Sequence, residues 1–176
     1  MQVFYRLSFF LFVSFFCISC TGKAIPEKAQ AVENFEVNRY LGTWYEIARF
    51  DFYFEKDLVY TTAYYSLDKN GNLQVLNRGF NVKDNEWKQA KGIAKFRGAK
   101  NVGALKVSFF GPFYSGYNVI ALDENYQYAL VAGKNLDYLW ILSREKSIPE
   151  EIKQNYLSLA QKVGYDVSRL IWVQQE

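Results

Sequence analysis

The chain contains no histidine. Imidazole can therefore serve nowhere as a base, a proton shuttle or a metal ligand, which removes Ser-His-Asp and Cys-His chemistry and the histidine-based zinc sites. Cysteine is nearly absent, with two residues, Cys17 and Cys20, both near the N-terminus. Proline is scarce, at 3 residues, while half of the chain is hydrophobic and 19% is aromatic. That composition is globular and excludes a disordered or collagen-like polymer. A large charge of one sign is missing too: 21 basic groups face 18 acidic ones, a formal net charge of +3. A nucleic-acid partner would require a basic stripe, not these scattered lysines. No pair of carboxylates is spaced for acid–base work, and no metal or cofactor is implied. The length, 176 residues, is that of one domain or at most two.

The N-terminus reads as an address. Arg6 precedes a nearly continuous apolar stretch from Leu7 to Ile18, and Ser19-Cys20 follows. One positive charge, a short apolar run and a small residue before the cut form the plan of a secretory signal. The run is too short for a membrane-spanning helix, which needs about 20 apolar residues. Its ending, Cys17-Ile18-Ser19-Cys20, resembles a bacterial lipobox, in which the last cysteine is acylated and begins the mature chain. Cys17 stands where leucine is usual. The expected organisation is a lipoprotein signal peptide over 1–19, a lipidated polar tether over 20–34 and a folded domain over 35–176. With Cys17 discarded and Cys20 consumed by lipid, the mature domain has no thiol and no disulfide. Several acyl chains on one residue give stable anchoring. The 157 residues after Ser19 keep 20 basic and 18 acidic groups, since only Arg6 is lost, so the anchor and not electrostatics holds the protein to its membrane.

From Tyr40 onward the dominant period is two, and turn signals recur every 10 to 14 residues. The pattern predicts strands over 44–50, 59–67, 73–80, 89–96, 105–110, 117–122, 128–133 and 138–143, joined by short polar turns such as Asp68-Lys69-Asn70-Gly71-Asn72. Eight such strands suit an all-β, antiparallel up-and-down barrel, whose closure removes exposed edges. On the fourth strand Ala90, Gly92, Ala94 and Phe96 alternate with Gln89, Lys91, Ile93, Lys95 and Arg97. Lysines projecting into hydrocarbon cost about 2–4 kcal/mol each at mid-depth, so the cationic face meets water and the small apolar face meets the axis. Small inward residues leave room in an eight-stranded barrel for one ligand. One helix follows, with Ser147 and Glu150 read as a capping box, Pro149 in its first turn and Gly164 as its stop. Its apolar stripe should lie against outward residues such as Ile47, and Leu170-Ile171-Trp172-Val173 should add a short strand.

Three ordered motifs then carry a resemblance. Asn38-Arg39-Tyr40-Leu41-Gly42-Thr43-Trp44-Tyr45-Glu46 resembles the first lipocalin motif, Gly-x-Trp at the start of the first strand. Asp123-Glu124-Asn125-Tyr126 stands where the second motif belongs, without its threonine, and Trp140-Ile141-Leu142-Ser143-Arg144 resembles the third. The stretches Leu105 to Phe113, Tyr117 to Asp123 and Asp137 to Arg144 are similar to the bacterial outer-membrane lipocalins, a branch related to apolipoprotein D. The resemblance implies that Gly42, Trp44 and Arg144 build the base of the barrel. The indole would plug the narrow end, and the guanidinium across its face would add a cation–π contact of about 0.5–2 kcal/mol. Glu46 shares parity with Trp44 and should point inward near the floor, where its carboxylate needs a partner or a raised pKa.

Alternation, extended by the family's strand alignment, gives the expected ligand contacts: Ala48, Phe50, Ala63, Tyr65, Val75, Asn77, Gly92, Ala94, Leu105, Val107, Phe109, Tyr117, Val131, Tyr138 and Trp140. Ala121 is expected inward as well. Phe52-Tyr53-Phe54 and Phe113-Tyr114 are candidate mouth aromatics. The makeup suits a mostly apolar ligand with a polar end. The resemblance implies a fatty acid or lysophospholipid, including a palmitate-like chain, carried for membrane maintenance by a lipoprotein of the outer membrane facing the periplasm. The reading is a binding protein and not an enzyme. A lipocalin-type enzyme would have to use Glu46, Tyr65, Tyr138 or a lysine as acid or base, and a third reading makes the barrel a protein-interaction module. Sequence leaves open whether two barrels pair as a homodimer.

Overall fold

The computed structural model describes residues 24–175. The expected signal peptide and the expected lipidation site, Cys20, lie outside these residues. Eight antiparallel strands follow one another: β1 (Gly42–Phe50), β2 (Leu58–Leu67), β3 (Leu73–Asn81), β4 (Glu86–Phe96), β5 (Ala104–Phe110), β6 (Phe113–Leu122), β7 (Tyr128–Ala132) and β8 (Leu139–Ser143). Each pairs with the next, β8 pairs with β1, and β1 pairs with β2, so the sheet closes on itself. A four-residue helical turn, α1 (Val37–Tyr40), leads into β1 at the closed end. The connections β1–β2, β3–β4, β5–β6 and β7–β8 surround the other end, which is open.

Strand β1 is bulged between Glu46 and Ala48 in its pairing with β8. Strand β2 is irregular between Val59 and Thr62, with Tyr60 in the left-handed region at φ 53°. The two strands pair only over Gly42–Tyr45 and then separate. A ninth strand, β9 (Leu170–Trp172), takes the vacated place beside β1. Gln175 completes the repair: its Nε2 donates to the carbonyls of Glu46 at 2.7 Å and Thr61 at 3.1 Å. Backbone acceptors that the splayed strands would leave bare are thus satisfied.

The helix α2 (Glu150–Val163) lies on the outside of the barrel. Tyr156, Ala160 and Val163 are buried against Ile47, Ile120, Leu130, Leu139 and Ile141. The helix ends at Gly164, whose φ of 113° permits its N–H to reach the carbonyls of Ala160 and Gln161. Its start differs from expectation. Pro149 is the cap residue, Glu150 is the first helical one, and no side chain caps the N-terminus. Proline disfavours helical geometry at the residue before it, so the helix begins too late for Ser147 to reach its first turn. The Ser147 carbonyl instead accepts from the Ser143 hydroxyl at 2.9 Å.

Two apolar clusters result, one between helix and barrel and one inside the barrel. On β4 the expected parity holds: Gly92 and Ala94 are buried, while Lys91, Ile93 and Lys95 are exposed. Residues 24–34, the described part of the expected tether over 20–34, are docked on the barrel, as is Phe35 at the start of the expected domain. Val32 exchanges backbone hydrogen bonds with Val119 and Gly103, and the Phe35 N–H donates to the Asn101 carbonyl at 2.8 Å.

Candidate functional site: a blind cavity in the barrel

The closed end is sealed by aromatic rings. Trp44 is fully buried, and its indole N–H donates to the Tyr40 carbonyl at 2.9 Å. The Arg144 guanidinium lies 3.9 Å from the centre of the Trp44 rings. Its donors reach the carbonyls of Thr43, Arg39, Leu41 and Tyr126. Gly42 runs beneath it at φ 94°, a backbone geometry that favours glycine. Above this plug, the hydroxyls of Tyr40 and Tyr65 each lie 2.7 Å from that of Tyr117. Burial pushes all three phenols above their ordinary range.

Over that floor the barrel is hollow, with a cavity of about 520 Å³. Its wall includes Ala63, Tyr65, Leu73, Val75, Asn77, Ala90, Ala94, Leu105, Val107, Phe109, Tyr117, Tyr138, Trp140 and Leu142. Eleven of the fifteen residues expected to touch a ligand are among these. Of the five aromatics expected at the mouth, Phe52, Phe54, Phe113 and Tyr114 line the cavity, while Tyr53 does not and is exposed to solvent.

Four residues are placed elsewhere. The β1 bulge reverses parity, so Ala48 and Phe50 point away from the cavity into the layer beneath α2, where the Phe50 ring meets Tyr165 with centroids 5.6 Å apart. Gly92 faces inward, but the space beside it is taken: a Cβ there would come within 2.8 Å of the Phe109 ring. Val131 faces inward and is fully buried in the packed interior cluster, off the cavity wall. A register shift in β6 also turns Ala121 outward, opposite Leu130 and against the helix-side cluster.

The bulge brings inward a residue that alternation hides. Arg49 is 2% exposed and pairs with Trp140 on β8. Its Nη1 donates to Glu46 Oε1 at 2.8 Å, and its Nη2 to the carbonyls of Glu55 and Leu58. Thr61 Oγ1 donates to the same Glu46 oxygen at 3.2 Å, and the Trp140 indole N–H to Glu55 Oε2 at 3.2 Å. Glu46 and Glu55 both line the cavity. Burial raises the pKa of Glu46, opposed by Arg49. Burial raises Glu55 well above the usual carboxylate range, and the charge of Glu46 adds to the shift. Asn77 Oδ1, on the same wall, is buried without a hydrogen-bond partner. The partner of Glu46 is thus an arginine and a threonine. Glu55 lies in a connection, where no periodicity marks it; the signal for Arg49 was a charge amid apolar neighbours in a strand.

A closed up-and-down barrel with one sealed end and one apolar hollow is the architecture of a small-molecule receptacle. The chain belongs to the lipocalin family. The family model for the lipocalin-like domain matches residues 35–175. The chain is 54% identical over 162 residues, 92% of each chain, to the outer membrane lipoprotein Blc of Escherichia coli K12. It is 35% identical over 153 residues to mouse apolipoprotein D, covering 81% of this chain and 78% of that one. Among solved structures, insecticyanin of the tobacco hornworm superposes with a TM-score of 0.67 at 21% identity, over 84% of this chain and 85% of that one.

Proposed function

We propose that the protein is an outer-membrane lipoprotein, anchored through Cys20 and facing the periplasm, that holds one fatty acid or lysophospholipid for membrane maintenance. The observation that carries this reading is the hollow itself. About 520 Å³ falls inside the range of about 300–1,000 Å³ typical of small-molecule sites. Its deep part, from Ala63 and Val75 to Ala94, Leu105 and Leu142, is apolar. Each methylene moved there from water contributes about 0.8 kcal/mol, so an acyl chain binds with few polar contacts. Glu46, Glu55, Thr61 and Asn77 offer a polar wall above it, rich in acceptors. The bacterial relative's name, outer membrane lipoprotein, supports the location.

Binding without turnover is the reading the polar groups favour. The Glu46 carboxylate is engaged by Arg49 and Thr61, and the floor hydroxyls are bonded to one another. Displacement of a fluorescent fatty acid tests the carrier. The unaltered protein should take up the probe. Ala94→Phe, which puts a ring into the deep cavity, should weaken uptake at least tenfold while leaving the unfolding midpoint within a few degrees. No uptake by the unaltered protein, or undiminished uptake by Ala94→Phe, would reject it.

A further inference from the structure

The two ends of the barrel differ in what they show to their surroundings. Every connection at the open end carries an exposed apolar side chain. Tyr53 and Phe54 are 85% and 66% exposed in β1–β2, Val82 is 56% exposed in β3–β4, Phe110 and Phe113 are 64% and 78% exposed around β5–β6, and Leu136 is 38% exposed in β7–β8. Among the described residues, none of the exposed large hydrophobic side chains falls in the closed-end turns 68–72, 97–103 and 123–127, and only Leu67 at the end of β2 stands beside them. An apolar rim that water surrounds on all sides is unfavourable, and such a surface marks a place of contact.

The path of the N-terminal segment says with what. Asn118 Nδ2 donates to the Ala24 carbonyl at 3.0 Å and to the carbonyls of Ala132 and Gly133. Gly116 lies so close to the same Ala24 carbonyl that a Cβ would collide with it, and Lys134 is adjacent. Gly116 and Lys134 both line the cavity, so Ala24 is pinned at the rim of the open end. Cys20 is four residues upstream, and an extended chain of that length reaches at most about 14 Å. From Gly116 the β5–β6 hairpin runs three more residues to Phe113, about 10 Å at the rise of a strand. An anchor at Cys20 therefore keeps the lipid surface within reach of the hairpin tip.

We propose that the open end of the barrel rests on the membrane that carries the anchor, with the aromatic tips of β1–β2 and β5–β6 among the lipid headgroups and the cavity opening toward lipid. This rests on the lipoprotein reading above. Aromatic and apolar side chains are stable at the headgroup–acyl boundary. The attraction is apolar: Lys56, Lys83 and Lys134 of these connections are outnumbered by the acids Asp51, Glu55, Asp57, Asp84 and Asp137. An amphiphile would then pass between bilayer and barrel without crossing open water.

The full chain, acylated in bacterial cells, can be reconstituted into vesicles of phosphatidylethanolamine with phosphatidylglycerol as the minor lipid. A single thiol introduced as Tyr53→Cys or Phe113→Cys, or at the closed end as Lys69→Cys or Lys100→Cys, carries a polarity-sensitive fluorophore. Nitroxide-labelled lipids should quench the two open-end labels several-fold more than the closed-end pair, at low and high salt alike. Acylated, vesicle-bound protein whose closed-end labels are quenched equally or more would overturn the orientation alone. Protein whose mass shows no acyl group, released from vesicles by washing, would overturn the anchor and the orientation together.

Discussion

Glu46 and Arg49 project from β1 to the same side, and their side chains meet at 2.8 Å. Three residues apart on a regular strand they would face opposite ways. The bulge between Glu46 and Ala48 brings them together, and both are almost wholly buried. Arg49 lies between two buried carboxylates, Glu46 and Glu55, so its loss leaves buried acidic groups without their cation. Arg49→Met should destabilise the fold by about 3–5 kcal/mol at neutral pH. Urea unfolding followed from neutral to acid pH should show part of that deficit recovered as the carboxylates protonate. A midpoint within experimental error of the parent would show that the pair contributes nothing.

Glu55 supplies a pH dependence of known sign. Burial and the neighbouring Glu46 charge raise its folded-state pKa well above the ordinary value. The folded protein therefore holds this proton more tightly than the unfolded chain. The contribution is complete below the unfolded pKa, about 4.3, and is lost as pH rises through the folded value. Glu55→Gln keeps an acceptor for the Trp140 indole without the charge. Unfolding midpoints of the variant should match the parent in acid and exceed it above the folded pKa, with a flatter pH profile. An unchanged profile would show that Glu55 does not titrate in that window.

Strict alternation revealed the barrel strands and the small inward face of β4, while the base made by Gly42, Trp44 and Arg144 was legible only through the family resemblance. Alternation has a limit of its own. It failed where a strand gains a residue. One bulge in β1 moved Ala48 and Phe50 out and Arg49 in, and one in β6 moved Ala121 out. A bulge changes hydrogen-bond register without changing composition, so the residues around it look the same either way. Ser147 shows another limit: its spacing to Glu150 fits a capping box, but Pro149 sets where the helix begins. Gly92 shows a third. Small size at one position says nothing about which ring from the next strand fills the space.

That filling makes Gly92 a sensitive position. A Cβ there would lie 2.8 Å from two Phe109 ring carbons and 2.9 Å from the Ser108 carbonyl oxygen. Gly92→Ala should cost about 1–3 kcal/mol through overpacking. Adding Phe109→Leu should restore part of the loss, because the ring can give way while the carbonyl cannot. Thermal unfolding of both singles and the double variant measures the coupling. Strict additivity would mean that ring and glycine do not share the space.

A further loss is expected at the base of the barrel, away from the cavity. Arg144 donates to the Thr43 carbonyl at 2.7 Å and to those of Arg39 and Leu41 at 2.9 Å, while its plane covers Trp44 at 3.9 Å. Those carbonyls belong to α1 and the start of β1, so one side chain ties the entry of the chain to the end of β8. Charged hydrogen bonds contribute about 1.5–3 kcal/mol each and do not add fully; with the cation–π contact, Arg144→Ala should cost about 2–4 kcal/mol. Arg144→Lys keeps the charge but not the planar fork, and should recover less than half of it. The floor tyrosines separate Arg144 from the cavity, so fatty-acid probe affinity measured well below the unfolding midpoint should stay within about twofold of the parent, a difference near 0.4 kcal/mol. A variant that unfolds like the parent would remove the strap from the stability of the barrel. One that keeps its midpoint but loses the probe would mean that the closed end shapes the cavity directly.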